Sequence, residues 1–398
     1  MKPVSGTNLE QARAHNRRVV IEAIRVHGPL SRAELARLSA LTVQTVSNIV
    51  EDLVAARLLK AEEPRRLPRG QPITPYSLNP DGAYSIGLEL ERDHAGGVLT
   101  DLSGAIRARA RRPALRPGPD EAIPLMAGLV EEMIERAGID PQRLLGAGLA
   151  MAGRYQGEGV TSLSPVALPG WAGFPVATAL SGRIGLPVLV ENDASAAAIG
   201  ERLHGVARGL GSFVYLWLGG GIGAGLVLDG QLYRGSRRNA GEIGHMTVVP
   251  GGKPCPCGKR GCLDRYVSLG AVHAHLGIGD PLSLDPAELD RRLEAGGEGI
   301  EAWLDEAVGP MRQVIDTFEL AFDPETVVIG GAMPPGLLKR LAERLEPLPP
   351  PLDPKAERAL PRVILGATGK DTAILGAAAL PVFSQTNPQF DVLQKRAR

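Results

Sequence analysis

The chain of 398 residues holds three cysteines, all within one short run: Cys255, Cys257 and Cys262. An odd number so tightly clustered makes a poor disulfide framework and reads better as a metal site in a reducing compartment. The Cys-x-Cys-x4-Cys run supplies three thiolates, and tetrahedral zinc wants a fourth ligand. His245, ten residues upstream, is the candidate, and Gly258 and Gly261 let the backbone turn tightly enough to gather the sulfurs. Four protein ligands leave no open position for a reactive water, so the expected Zn2+ is structural. Three incidental buried cysteines are the alternative.

The surrounding sequence alternates strands, glycine turns and helices. Tyr84 to Leu90, Gly97 to Asp101 and Ile106 to Arg111 read as strands, with Leu102-Ser103-Gly104 as a turn. Glu121 to Ala137 has the apolar spacing of an amphipathic helix. A strand over Leu145 to Met151 enters a turn at Gly153. Another, Pro187 to Glu191, precedes a helix from Ala194 to Leu203. Phe213 to Leu218 runs into a glycine-rich loop, Gly219 to Gly225, and Thr326 to Ile329 into Gly330-Gly331. The recurrence predicts an α/β fold with ligand-approach loops at strand ends. The Pro-rich residues 341–361 are expected to be loop.

These residues resemble the ROK family of repressors, open reading frames and kinases. The most specific stretch is Ala240 to Tyr266, AGEIGHMTV followed by CPCGKRGCLDRY. Val190 to Ala194, the Gly219–Gly225 loop and Pro324 to Gly331 support it, and the likeness covers nearly the whole chain. It implies an actin-like (ribonuclease H-like) sugar-kinase fold over residues 81–398. The smaller lobe would span about 81–192 plus the C-terminal helix, and the larger about 193–375. The family uses the histidine matching His245 as a zinc ligand. Its sugar-contacting residues fall on Gly153, Arg154, Asn192, Asp193, Glu242, His245 and Asp264. In the family's kinases the aspartate matching Asp193 is the general base; here it is expected to be vestigial. One imidazole nitrogen of His245 can bind zinc while the other meets a sugar hydroxyl. Asp264 stands where the family usually has Glu, one methylene longer.

The kinases of the family open on a DxGGT-type turn that cradles ATP phosphate. The matching stretch here is Glu89-Leu90-Glu91-Arg92-Asp93. The two glycines have become Glu91 and Arg92, although glycine is what lets the backbone approach a phosphate. Carboxylates at 89, 91 and 93 would also repel it. Like charges at ~4 Å cost on the order of 1 kcal/mol in water and more when buried. The usual threonine of the second loop is Gly220. The expectation is no useful ATP binding.

Residues 1–80 carry twelve Lys/Arg against seven Asp/Glu, so a basic head precedes an acidic body although the net charge is zero. Asn16 to His27 suits a largely buried helix stopped by Gly28-Pro29. Ser31-x-x-Glu34 is a capping box for a second helix, Arg32 to Ser39, expected to bury Leu35, Ala36 and Leu38. Thr42 can cap a third, whose Val43, Val46, Ile49, Val50, Leu53 and Val54 form one stripe. That leaves Gln44, Thr45, Ser47 and Asn48 on the polar side, the short hydrogen-bonding residues a recognition helix uses in the major groove. Arg65, Arg66 and Arg69 sit in a Pro-rich stretch that reads as a wing or arm for phosphate or minor-groove contact. The pattern is a winged helix-turn-helix over 1–80, matching the family's repressor branch, similar to its xylose-, N-acetylglucosamine- and glucose-type members. A small helical dimerisation or protein-binding module is the bland alternative.

Together these readings predict a transcriptional repressor of sugar-metabolism genes without phosphotransferase activity. Its partners would be double-stranded operator DNA, a sugar or sugar-phosphate effector, and further copies of itself in a homodimer or homotetramer. An active ATP-dependent sugar kinase with a DNA-binding regulatory head is the alternative. A constitutive DNA-binding protein with a vestigial pocket is a third. No run of eighteen apolar residues occurs, and the N-terminus has no apolar core resembling a secretory signal. The expected location is therefore the cytoplasm, with no membrane partner.

Overall fold

The computed structural model describes residues 9–66, 72–156, 159–161, 168–278, 286–353 and 357–386. The chain begins with α1 (Leu9–His27), β1 (Leu30–Ser31), α2 (Arg32–Ser39), α3 (Val43–Ala55), β2 (Leu59–Ala61) and β3 (Pro75–Leu78). The Ser31 hydroxyl accepts from the Glu34 amide, and the Glu34 carboxylate accepts from Ser31 N at 2.8 Å, so the capping box closes. Thr42 caps α3 by accepting from Thr45 N at 3.2 Å. Val20, Ile24, Leu35, Val46, Val50 and Leu53 form the core of this head. Three residues assigned to the buried stripes are exposed instead: Leu38, Val43 and Val54. Each lies at the margin of its stripe, where a short helix turns its flank to solvent. The strands pair antiparallel in the order β1-β3-β2, and an isolated Arg65–Ile73 bridge prolongs the β2–β3 ribbon.

The body follows as two sheets. The first is preceded and flanked by β4 (Tyr84–Leu90), β5 (His94–Asp101), β6 (Ile106–Pro113), α4 (Pro119–Ala137), β7 (Leu144–Met151), β8 (Arg154–Gln156), β9 (Gly159–Thr161), α5 (Val176–Ile184), β10 (Val188–Glu191) and α6 (Asp193–His204). Its strand order is β10-β7-β4-β5-β6, parallel through β10, β7 and β4 and antiparallel beyond. β4 is buried along nearly its whole length because helices cover both faces, whereas edge strand β6 turns Ala108 and Ala110 inward and its arginines outward.

The second sheet uses β11 (Phe213–Leu218), β12 (Ile222–Leu228), β13 (Gln231–Leu232), then α7 (Asp264–Val267), α8 (Leu269–His275), α9 (Pro286–Glu294), α10 (Glu298–Phe322), β14 (Thr326–Gly330), α11 (Pro335–Arg344), β15 (Val363–Leu365) and α12 (Thr372–Thr386). Its order is β13-β12-β11-β14-β15. A large core joins β11, β14, α10 and α11. Between the two sheets lie α6 and α12, rich in alanine and packed on each other.

Two loop expectations need correction. Only Gly219 to Gly221 is a turn; strand β12 begins at Ile222, and Gly223 and Gly225 belong to it. A β-carbon on Gly225 would stand 2.5 Å from the Ala194 carbonyl oxygen, so glycine there admits α6 rather than a phosphate. In the Pro-rich stretch, α11 continues to Arg344 before the loop begins. Among the described residues no helix is long and apolar enough to cross a membrane.

Candidate functional site

The zinc-ligand candidates converge. A ring nitrogen of His245 and the sulfurs of Cys255, Cys257 and Cys262 all lie within 4.8 Å of one another. Cys255 Sγ is 3.7 Å from His245 Nδ1, and Cys257 Sγ is 3.6 Å from Cys262 Sγ. A tetrahedron with Zn–S of ~2.3 Å has sulfur–sulfur edges of ~3.8 Å, so the donor set has the right size as well as the right chemistry. Burial and the neighbouring thiols push Cys262 up to about 12, a crowding of thiolates that a divalent cation would relieve. The cluster could hold a metal ion. Local pairing explains how it forms: Thr247 bridges Cys262 and Pro254 bridges Arg260, folding the run back on itself. Gly258 and Gly261, both at positive φ, make the bends.

The Nε2 of His245 is 4.0 Å from Glu242 Oε2. Glu242 in turn lies 3.7 Å from Arg154 Nε. Asn192 sits at the end of β10, caps α6 by accepting from Ala194 N at 3.0 Å, and donates to the Gly153 carbonyl at 3.4 Å. Asp193 begins α6 and receives its own first-turn amide, Ala194 N, at 2.9 Å. Burial raises the affinity of both Asp193 and Glu242 for a proton. Asp264, at the start of α7, accepts from Ile222 N at 3.2 Å, which ties its shortened carboxylate to the glycine turn. Thus Gly153, Arg154, Asn192, Asp193, Glu242, His245 and Asp264 gather where β7, β10 and β11 end, the carboxyl edge at which open α/β sheets take ligands.

The altered phosphate turn faces the same place. Burial, then the charges of Asp193 and Glu89, push Glu91 up to about 8, so its carboxyl is largely protonated at neutral pH. Arg92 reaches across to the second sheet: a β-carbon on Gly220 would stand 2.1 Å from its Nη2. A threonine at 220 would displace this guanidinium, a shift that the end of a flexible side chain can make, so the two departures noted in the sequence lie in contact. Sequence reading also missed His94. Burial disfavours its charge, but hydrogen bonds to Asp93 at 2.7 Å and Glu89 at 3.0 Å win and hold it up to about 9. It also missed Glu191, buried beside the Asn192–Asp193 turn and bonded to Arg234 Nε at 2.6 Å. An acidic residue preceding Asn-Asp was visible; its arginine, 43 residues away, was not.

In the head, Gln44 and Asn48 are exposed and bonded to each other at 3.0 Å, while Thr45 and Ser47 are half-buried on the same helix. Arg65 and Arg66 are exposed at the tip of the β2–β3 ribbon, and Arg69 lies outside the described residues.

Comparisons with known proteins agree with this architecture. Residues 85–382 match the ROK family profile. A xylose repressor from Bacillus spizizenii is 29% identical over 253 residues, which is 64% of this chain and 65% of the repressor, so the match spans just under two thirds of that relative. The crystal structure of a ROK hexokinase from Thermus thermophilus is 30% identical, covers 74% of this chain and 96% of the hexokinase, and has a TM-score of 0.59. A ROK family transcriptional regulator, a homologue of the E. coli MLC protein, is 23% identical, covers 95% of this chain and 98% of its own, and has a TM-score of 0.71. With two five-stranded α/β sheets, a cysteine–histidine cluster that could hold a metal ion and a family match over residues 85–382, the chain belongs to the ROK family.

Proposed function

We propose that this protein is a sugar-responsive transcriptional repressor, with a winged helix-turn-helix head on a zinc-stabilised, kinase-like body that takes no ATP. The observation that carries it is Arg92 lying on Gly220. The family's sugar constellation is kept in the cleft, while the ground a nucleotide phosphate would need is filled by the protein's own guanidinium. The extra N-terminal head supports the other half of the reading. The hexokinase likeness accounts for 74% of the chain, whereas the regulator likeness extends over 95% of it.

In this reading Gln44, Thr45, Ser47 and Asn48 meet base edges in the major groove, and Arg65, Arg66 and Arg69 meet phosphate or the minor groove. A sugar or sugar phosphate in the cleft contacts Gly153, Arg154, Asn192, Asp193, Glu242, His245 and Asp264. His245, Cys255, Cys257 and Cys262 would hold Zn2+, which supplies charge neutralisation for three thiolates and fixes the His245 ring through Nδ1. His245 then presents Nε2 to a hydroxyl beside Glu242. Asp193, in a kinase the proton acceptor, here serves as a hydrogen-bond partner. A homodimer or homotetramer would place two heads on adjacent half-sites, and the cytoplasm is the matching location. Sugar changes DNA affinity only if it favours one lobe arrangement over another.

The test is a gel shift with the protein's own promoter DNA across a sugar panel: one sugar should release the DNA, and indifference to all of them would sink the sugar-responsive part. Micromolar affinity for ATP-Mg by titration calorimetry would contradict the loss of phosphate binding. One observation favours a second reading, an active sugar kinase with a regulatory head: Asp193 is present and burial keeps it basic. Robust sugar-dependent ADP release would decide for it.

A further inference from the structure

We propose that α6 is the rod connecting the sugar cleft to the DNA-binding head, with Glu22 of α1 and Arg202 of α6 as the coupling contact. The proposal deepens the sugar-responsive reading and rests on it for its biological purpose. One end of α6 is the cleft itself: Asn192 is its cap and Asp193 its first residue. At about 1.5 Å per residue the helix is about 18 Å long, which carries its last turn out to the far side of the body. There Arg202 Nη2 meets Glu22 Oε1 at 3.5 Å, and Glu22 is also held by Arg25 at 2.6 Å. The three side chains are only 12%, 17% and 15% exposed, so the contact is largely sheltered from solvent.

The rod is stiff. A β-carbon on Gly376 of α12 would stand 1.7 Å from the Ala196 carbonyl oxygen, so the two helices touch backbone to backbone. Glu201 is fully buried and accepts from Val206 N at 2.9 Å and from Thr368 N and Oγ1 at 3.0 and 2.6 Å, fixing the last turn to the segment that enters α12. Arg202 also lies over the Phe383 ring of α12, 5.6 Å from its centre. His204 packs on Gly104 in the β5–β6 turn.

The joint, by contrast, is built to give. Among the described residues the buried Nε and Nη1 of Arg202 have no hydrogen-bond partner, so its charge is incompletely compensated. Elsewhere along α1 a groove of about 340 Å³ remains between that helix and the body, lined by Arg17, Ile21, Leu102 and Leu145 among others. A rigid element ending in an imperfectly satisfied contact is a lever on its load rather than a weld. A shift of the Asn192–Asp193 end on ligand binding moves Arg202 relative to Glu22.

Hydrogen exchange on the full-length chain, read at α1 amides with β4 and β11 as internal controls, tests this in a mutant cycle. Glu22→Gln and Arg202→Gln should each raise α1 exchange about tenfold, the loss of one half-buried pair, while Arg202→Lys keeps the charge and most of the protection. Asn192→Ala, which frays the cleft end of α6, should raise α1 exchange in the otherwise native chain but not in the Arg202→Gln background. Unchanged α1 exchange in both Glu22→Gln and Arg202→Gln overturns the proposal, as does the same Asn192→Ala effect with and without Arg202. A chain that ignores every sugar yet shows the cycle would refute the sugar-responsive reading and leave the rod standing. Sugar-driven DNA release undiminished in Arg202→Gln would refute the rod alone.

Discussion

Replacing Glu91 by glutamine should stabilise the protein, and by an amount that depends on pH. Glu91 sits at a position where the fold's kinases have a glycine, and burial beside Asp193 and Glu89 pushes its carboxyl from an ordinary 4.5 up to about 8. Between those two pH values the unfolded chain has released a proton that the folded chain keeps. Folding then takes up a proton, and stability falls as pH rises, by about 1.4 kcal/mol per pH unit, until it levels off above 8. At pH 7 the ceiling is ~3.4 kcal/mol; Glu91 retains some solvent contact, so on the order of 2–3 kcal/mol is the expected effect. Glutamine has nearly the same shape and no charge to desolvate. Its advantage should vanish near pH 4.5 and grow to a plateau above pH 8. Urea unfolding of both chains from pH 5 to 8.5 measures this directly. A difference that stays flat with pH, or a glutamine variant less stable than the parent at pH 8, would refute the buried-carboxyl reasoning.

Three further outcomes are expected. The purified chain should carry about one zinc per molecule, and stripping it with a strong chelator should lower the melting temperature and abolish any sugar-induced thermal shift, because on the proposed reading His245 serves both sites; full sugar binding by the zinc-free chain would separate them. His94 is held up to about 9 against an ordinary 6.5, so its stabilising pairs with Glu89 and Asp93 are fully present below about pH 6.5 and lost as pH rises through 9; melts from pH 6 to 10 should show a loss on the order of 2–3 kcal/mol that His94→Gln removes. Gly220→Thr should cost no more than about 1 kcal/mol, because what its side chain meets is the movable end of Arg92, and adding Arg92→Gly should remove that cost, whereas additive effects in this cycle would mean that the two residues do not meet.

Much of the site was legible because its chemistry is local. The cysteine run and its glycine bends lie within a few residues of one another and announce a ligand geometry by themselves, whereas the Asn192-Asp193 pair was legible through the family resemblance. The capping box of α2 and the Thr42 cap of α3 were equally plain, since a cap is a local event. What stayed hidden was long-range. Gly223 and Gly225 read as loop because glycine marks both turns and close approaches, and only the helix packed on them tells which. Val43 and Val54 read as core because a stripe drawn from spacing does not show where the neighbouring helix ends. Glu191 with Arg234, and Arg92 with Gly220, are partnerships across 43 and 128 residues that no local pattern encodes.

The pairing of Arg92 with Gly220 bears on why a kinase cleft would suit a repressor. In a cleft with two occupants, sugar and nucleotide each contribute to the free energy of closing the lobes, and neither alone sets their position. On the proposed reading one of the two places is taken by Arg92, whose guanidinium rests on Gly220 of the second sheet's glycine turn, and that contact does not vary with nucleotide. On the proposed reading the sugar is then the one remaining variable, and its differential affinity for the lobe arrangements becomes the whole of the switching energy. Retaining Asp193, Glu242 and His245 while losing the glycines at 91 and 92 follows from that requirement: the first set must still discriminate a ligand, and the second would let a competing one in.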